Sequence, residues 1–174
     1  FSERDVLEVE TPLLASSTVP DVYIESIAAQ VVKDNSSRKN FLQTSPEFFM
    51  KRLLASGSGS IYQIAKAFRQ EEKGARHNIE FTLLEWYRLS YSLDQLMAEL
   101  EELVQEVLSC GPISRLSYRE IFRQHLQINP HEISLEELQK LAKSEIDLSG
   151  SDLSKTDYLQ LLLSNSIEPK LPPY

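Results

Sequence analysis

One stretch near the middle of this 174-residue chain concentrates side chains that can do chemistry. Between Phe68 and Tyr87 it carries an arginine, carboxylates, aromatic rings and a phenol. An arginine fork on a strand is suited to bidentate recognition of a phosphate or a carboxylate. A charged face of this kind is equally typical of a solvated hairpin with surface ion pairs, so spacing alone leaves both interpretations open.

Two strands joined by a polar loop are predicted to position these groups. Residues 62–68 and 79–87 both alternate with a period of two, which is typical of half-buried strands. The loop between them, Glu72 to Asn78, is charged and contains Gly74. The alternation places the following side chains on the inner face of an antiparallel pair: Gln63, Ala65, Ala67, Arg69 and Glu71, and from the second strand Ile79, Phe81, Leu83, Glu85 and Tyr87.

A short helix is predicted between Thr44 and Gly57. Ser45 is a candidate N-cap, Pro46 suits the first helical position, and Gly57 suits the end. Ser45 and Glu47 would then only cap the helix and complement its dipole. Because a carboxylate such as Glu47 is also a suitable partner for a substrate ammonium group, a binding role stays open beside the capping role.

Further strands are predicted towards the amino terminus. One covers Val6 to Thr11 and ends at Pro12, because proline cannot donate to a sheet ladder. A second covers Val22 to Val32, which is rich in β-branched residues, with residues 33–40 as its turn.

The second half of the chain is predicted to be helical. Apolar residues at helical spacing indicate a long helix from Ser92 to Gly111, with Ser92 and Gln95 as a capping box. Its glutamates at 99, 101, 102 and 106 are assigned to the solvated face. Three short helices follow, and their starts are indicated by Ser117 with Glu120, Ser134 with Glu137, and Ser154 or Thr156.

Composition excludes several classes of protein. With 41% hydrophobic residues the chain can bury one real core. A formal charge of −8 argues against a broad nucleic-acid footprint. The single cysteine, Cys110, excludes an internal disulfide and fits a reducing cytoplasm. The three histidines and this cysteine lack zinc-ligand spacing, and no apolar run is long enough to span a membrane.

Three segments resemble the class II aminoacyl-tRNA synthetases. The run FRQEE followed by RHNIEFTLLEWY resembles motif 2 in its lysine-specific form. Phe1 to Pro12 resembles the end of motif 1, and Thr44 to Leu54 resembles the amino-acid-binding segment. The resemblance implies an α+β fold in which an antiparallel sheet is flanked by helices, with motif 1 forming a homodimer interface.

The resemblance also implies a domain organisation. Residues 1–112 would be a partial catalytic domain with motifs 1 and 2, and residues 113–174 a small helical insertion. No glycine-arginine segment typical of motif 3 is present, so the chain is interpreted as a truncated, amino-terminal fragment.

The family's roles transfer to matching positions. Arg69 would be the catalytic residue, neutralising the α-phosphate of ATP. The residues implied for ATP are Arg69, Glu71, His77, Asn78 and Phe81, and those implied for the amino acid are Ser45, Glu47, Glu85 and Tyr87. For His77 an ordinary loop histidine is an equally open interpretation. Mg²⁺ would bridge the phosphates, with no metal ligand assigned in this chain.

Two positions indicate a branch of the family. Lysyl-tRNA synthetases typically have alanine at position 45 and Glu-Phe-Tyr at the end of motif 2, whereas this chain has Ser45 and Glu85-Trp86-Tyr87. Both features resemble the elongation factor P lysine ligases, paralogues that modify a protein lysine. Ile79 departs from both branches, since proline usually follows His-Asn.

The second branch implies a cytoplasmic ligase. It would activate lysine or β-lysine with ATP and transfer it to elongation factor P, with tRNA not the expected acceptor. Two alternatives stay open: a catalytic fragment of a lysyl-tRNA synthetase, and a non-catalytic synthetase-like binding module.

Overall fold

The computed structural model describes residues 1–33, 36–70, 78–146 and 153–171. Contacts divide the chain into two compact units, Phe1–Met97 and Ala98–Tyr174. Its elements in chain order are β1 (Leu7–Glu8), β2 (Leu14–Ala15), β3 (Ala28–Lys33), β4 (Ser36–Leu42), α1 (Glu47–Ala55), β5 (Ile61–Phe68), β6 (Glu80–Tyr87), α2 (Leu93–Leu108), α3 (Tyr118–Leu126), α4 (Leu135–Glu145) and α5 (Lys155–Leu162). Short 3-10 turns cover Ser2–Arg4 and Glu168–Lys170, and a π-helical segment covers Leu163–Ile167.

The first sheet has the order β1-β5-β6. β5 and β6 pair antiparallel, from Ile61 opposite Tyr87 to Phe68 opposite Glu80, which confirms the predicted hairpin. β1 pairs with β5 in parallel. The strand predicted over residues 6–11 is wrong beyond Glu8, where β1 ends. Thr11 instead contacts β5 through its side chain, whose hydroxyl donates to Gln63 Oε1 across 2.9 Å.

The second sheet has the order β2-β4-β3, and both pairings are antiparallel. The prediction for this region is wrong in two respects. The strand begins only at Ala28, and residues 36–40, predicted as a turn, belong to β4. The reason is that Ser36 to Lys39 are exposed and polar, so no apolar alternation marks the start of β4.

The helix α1 begins one residue later than a Ser45 cap requires. Pro46 occupies the N-cap position, its carbonyl accepts from the Met50 N–H, and no side chain caps the helix. The prediction that Ser45 is the N-cap is therefore wrong. The predicted end is confirmed, since Gly57 follows the C-cap with φ +86°, a left-handed conformation that favours glycine.

The interior of the first unit is small and partly polar. Its buried apolar residues are Val6, Met50, Ile61, Ala65 and Ala67. Thr11, Gln43, Thr44 and Gln63 are buried beside them. On the opposite face of the hairpin, Ile64 is 62% exposed.

The predicted long helix is confirmed as α2, and its start carries the predicted capping box between Ser92 and Gln95. It ends at Leu108, just before Ser109 takes a left-handed conformation. The assignment of Glu99 to the solvated face is wrong. Glu99 is buried, because its spacing of three and four residues from Leu96 and Leu103 places it on their face.

The helices α3, α4 and α5 start as predicted. Ser117, Ser134 and Ser154 each form a complete capping box with the residue three positions later. The helices enclose an apolar core made of Phe122, Leu126, Leu138, Ala142, Tyr158, Leu162 and Ile167. Across the described ranges, no helix combines the length and apolar character needed to cross a bilayer.

Candidate active site on the hairpin face

The hairpin presents one face that carries most of the predicted site residues. Gln63 lies opposite Glu85, and Ala67 lies opposite Phe81, so these side chains share a face as predicted. The other face carries Trp86, whose ring lies 5.8 Å from that of Phe1. Trp86, one of the two positions that indicated a branch of the family, therefore points away from Glu85.

Arg69 follows β5 and contacts both Thr44 and Phe81 over this face. Its Nε donates to the Thr44 carbonyl at 3.3 Å, and its guanidinium lies 5.0 Å from the centre of the Phe81 ring. A cation over an aromatic face is attracted by the ring quadrupole. These contacts fix a planar donor group on the hairpin face, next to the segment that leads into α1.

Glu85 and Tyr87 form a hydrogen-bonded pair on β6. The Tyr87 hydroxyl donates to Glu85 Oε1 at 2.6 Å. Burial raises the pKa of Glu85, and the bond from Tyr87 partly opposes this rise. Burial, reinforced by the bond to Glu85, also raises the pKa of Tyr87, which therefore stays protonated as a donor.

Glu47 and Lys51 form a second pair, one turn apart on α1. Lys51 Nζ lies 2.5 Å from Glu47 Oε1, and both side chains are about half exposed. The charge of Glu47 raises the pKa of Glu85 and of Tyr87, while Lys51 lowers the pKa of Glu85. The charges of the α1 pair therefore act on the Glu85–Tyr87 pair.

The fourth residue predicted for the amino acid, Ser45, lines a cavity beside α1. The cavity has a volume of about 570 Å³ and lies between α1 and residues 12–20, and its lining does not include Glu47, Glu85 or Tyr87. Phe48, Phe49 and Arg52 contribute the wall on the α1 side. The role of Ser45 beside the other three residues stays a prediction.

The residues predicted for ATP are only partly described. Phe81 is half buried beneath Arg69, and Asn78 is exposed just before β6. Glu71 and His77 lie outside the described residues. In the part of the chain that the structure describes, no group of three or more His, Cys, Asp and Glu side chains could hold a metal ion.

Sequence reasoning missed two contributors to this face. Thr44 is 2% exposed and offers its carbonyl to Arg69, a contact between residues far apart that no local pattern indicates. Lys51 could have been found, because Glu47 and Lys51 are four residues apart on the predicted helix and such pairs are neighbours on a helix surface.

A family profile described as tRNA synthetases class II (D, K and N) matches residues 1–160. The chain belongs to this class II synthetase family. The predicted resemblance is therefore confirmed at the level of the family, and the mixed α/β architecture agrees with it.

Curated class II relatives share sequence over almost the whole chain. The chain is 45% identical to the elongation factor P–(R)-β-lysine ligases of Pseudoalteromonas translucida and of Vibrio cholerae, in each case over 98% of this chain and 54% of the relative. The ligase of the same name from Yersinia enterocolitica is 42% identical over the same shares. The chain thus spans about half the length of the curated relatives that it matches.

Proposed function

We propose that the protein carrying this chain activates lysine or β-lysine with ATP and transfers it to a lysine side chain of elongation factor P. The observation that supports the proposal is the hydrogen-bonded pair of Glu85 and Tyr87 on a hairpin face that also carries Arg69, with the charge of Glu47 acting on both members of the pair. Two carboxylates suit a substrate with two ammonium groups. A fixed guanidinium suits the phosphate that such a substrate would attack.

The proposed reaction has two steps. In the first, a carboxylate oxygen of the amino acid attacks the α-phosphate of ATP, so that an aminoacyl-adenylate forms and pyrophosphate leaves. Arg69 faces the charge that builds on the phosphate, and preorganised donors of this kind stabilise a transition state strongly. In the second step the acceptor amine attacks the adenylate carbonyl, and AMP leaves.

The remaining roles are proposals of the same kind. Glu47 and Glu85 receive the substrate's ammonium groups, with Tyr87 orienting Glu85 through its hydrogen bond, and Ser45 contacts the amino acid. Glu71, His77, Asn78 and Phe81 hold ATP. Mg²⁺, when bound, neutralises the phosphates, and its ligands are proposed to lie outside the described residues.

The architecture of the whole protein belongs to the proposal as well. We place motif 3 and further strands of the antiparallel sheet in the half of the relatives' length that this chain does not span. The protein is a cytoplasmic homodimer that pairs through its motif 1 region. Residues 1–174 alone form no adenylate, because one wall of a nucleotide site does not position both reactants.

Two assays on the whole protein test the proposal. ATP–pyrophosphate exchange with lysine or (R)-β-lysine should proceed in the wild type and fall sharply in Glu85→Gln, which keeps the shape but removes the charge. Labelled amino acid and ATP are then offered to elongation factor P and to lysine tRNA in separate reactions. Label on elongation factor P is the expected result, and label on tRNA alone would overturn the assignment in favour of a lysyl-tRNA synthetase.

A further inference from the structure

The carboxylate of Glu47 already holds an ammonium group. Lys51 Nζ lies 2.5 Å from Glu47 Oε1, an ion pair even shorter than the usual charge-assisted hydrogen bond. By spacing alone this is an ordinary surface pair between residues four apart on a helix. Its setting differs from that of a surface pair, because Glu85 and Tyr87 lie within electrostatic reach of it on β6.

The four side chains of Glu47, Lys51, Glu85 and Tyr87 do not carry the same charge. Burial is the main cause of the raised pKa of Glu85, and the like charge of Glu47 adds to the rise. Tyr87 is a neutral donor to Glu85. Lys51 is the cation of the group, and its charge acts on both carboxylates.

We propose that Lys51 is a resident cation that occupies the ammonium position at Glu47 until the amino-acid substrate displaces it. This inference rests on the proposed function, which places a substrate ammonium at Glu47. It makes Lys51 a specificity-determining residue. A substrate that brings one ammonium group to Glu85 leaves the Glu47–Lys51 pair intact, whereas a substrate with two must compete with Lys51 for the second position.

The competition is reversible because the Lys51 side chain is 55% exposed. An exposed ion pair between neighbouring turns contributes little to stability, so Lys51 leaves Glu47 at small cost and is solvated when it does. The pair therefore partly offsets the charge of the two carboxylates without blocking the substrate.

Binding measurements on the whole protein test this role. Calorimetric titration with lysine and with (R)-β-lysine is carried out on the wild type, Lys51→Met and Lys51→Arg. Removing the competing charge should tighten binding about 3- to 10-fold in Lys51→Met, as expected for a unit charge a few ångströms away in a solvated site. Lys51→Arg, which keeps the cation, should stay close to the wild type.

The matched control is Lys66→Met. Lys66 is also half exposed and forms an ion pair with Glu80 at 3.5 Å, but it alternates with Ala65 and Ala67 and so lies on the opposite face of the hairpin. This variant loses the same formal charge and should bind both amino acids as the wild type does. The gain in Lys51→Met should also shrink at high ionic strength, since salt screens charges at exposed sites; a merely structural role would show no such salt dependence.

The outcomes separate the two proposals. Tighter, salt-sensitive binding in Lys51→Met with an unchanged Lys66→Met supports the resident cation. Unchanged or weaker binding in Lys51→Met overturns it and leaves the proposed function standing. A wild-type protein that binds neither amino acid contradicts the proposed function, and this inference with it.

Discussion

The two units of the chain fill their interiors with different kinds of side chain. In the second unit large apolar residues such as Phe122 and Leu138 form the buried cluster, and Glu99 and Ser166 are buried polar residues of the same unit. In the first unit small residues such as Ala65 and Ala67 lie beside the buried polar side chains of Gln43 and Gln63. The apolar interior of the second unit mainly stabilises the fold, whereas the polar contacts inside the first unit also fix how its strands are oriented.

Hydrogen bonds are directional, and this is the reason for the difference between the two interiors. Apolar burial stabilises without regard to direction, whereas a buried polar group is costly unless its hydrogen bond is made. In the first unit Thr11 donates to Gln63, and Gln43 Nε2 donates to the Lys66 carbonyl at 2.8 Å. Such bonds hold β5 in one position beneath the site, at a cost in hydrophobic stabilisation.

The largest expected effect tests the apolar core. Phe122→Ala should lower the free energy of unfolding of the second unit by about 3–5 kcal/mol, because Phe122 is fully buried and its removal leaves a cavity. Hydrogen exchange of the backbone amides in α3, α4 and α5 measures the loss. Ile64→Ala, at an exposed position of the first unit, is the control and should change stability by no more than about 0.5 kcal/mol. Equal losses in the two variants would remove the contrast.

The next effect concerns chemistry instead of stability. Arg69→Ala in the whole protein should cost about 2.7–4 kcal/mol of transition-state stabilisation, by analogy with the loss of one oxyanion donor, with little change in unfolding temperature. Lysine-driven ATP–pyrophosphate exchange measures it. Arg38→Ala, at an exposed arginine of β4, is the matched control and should leave exchange unchanged. Near-normal exchange in Arg69→Ala would remove this residue from the α-phosphate.

A smaller effect is expected at the helix starts. Ser134→Ala removes the side chain that accepts from the Glu137 N–H and should destabilise the second unit by about 1 kcal/mol. Ser144→Ala, inside α4, replaces a serine by a better helix former and should cost nothing comparable. Chemical denaturation of both variants provides the comparison. A Ser134→Ala curve that overlays the wild type would show that the capping boxes do not contribute.

The smallest expected effect is that acid changes the stability of the two units in opposite directions. Glu120, Glu137 and Asp157 accept hydrogen bonds from the capping serines, and these bonds lower the pKa of the three carboxyl groups. Their stabilisation is present above the ordinary carboxyl pKa and is lost as the pH falls through the lowered values. The raised pKa of Glu85 acts in the opposite direction, because its contribution is complete at low pH and is lost as the pH rises through the raised value.

Residue-resolved amide exchange between pH 3 and pH 7, corrected for intrinsic exchange rates, follows both trends. Protection at the starts of α3, α4 and α5 should fall towards pH 3. Replacing Glu85 by glutamine, which does not titrate, should abolish the opposing trend around β6 and leave the helix starts unchanged. Parallel behaviour of the two units in the wild type would contradict the assigned directions.

Local signals decided which features could be predicted from the sequence. The capping boxes at Ser117 and Ser134 were predictable because both partners lie within one turn, and the β5–β6 hairpin because its alternation is regular. The N-cap of α1 was not, since Pro46 itself took the position assigned to Ser45. The charge of Glu99 predicts a solvated position, whereas its spacing from Leu96 and Leu103 along the helix predicts the buried one that is observed.

The sequence predicted which residues belong to the candidate site better than it predicted how they are arranged. The family motifs selected Glu85 and Tyr87, which form a hydrogen bond in the fold, and Glu47, whose charge acts on both. The hydrogen bond between Thr44 and Arg69 joins residues 25 positions apart, so only the folded chain shows it. The face of Trp86 follows from the pleat, and its contact with Phe1 joins distant parts of the chain.

The parallel pairing of β1 with β5 has a consequence for synthesis on the ribosome. Tyr62, whose hydroxyl donates to Glu8, lies 54 residues after it in the chain. At about 5–20 residues per second, translation separates the appearance of the two partners by roughly 3–11 s. During that interval β1 has no strand to pair with, and Val6, buried to 3% exposure in the folded protein, stays in water beside Leu7. β1 can therefore take its place in the sheet only after β5 has left the ribosome.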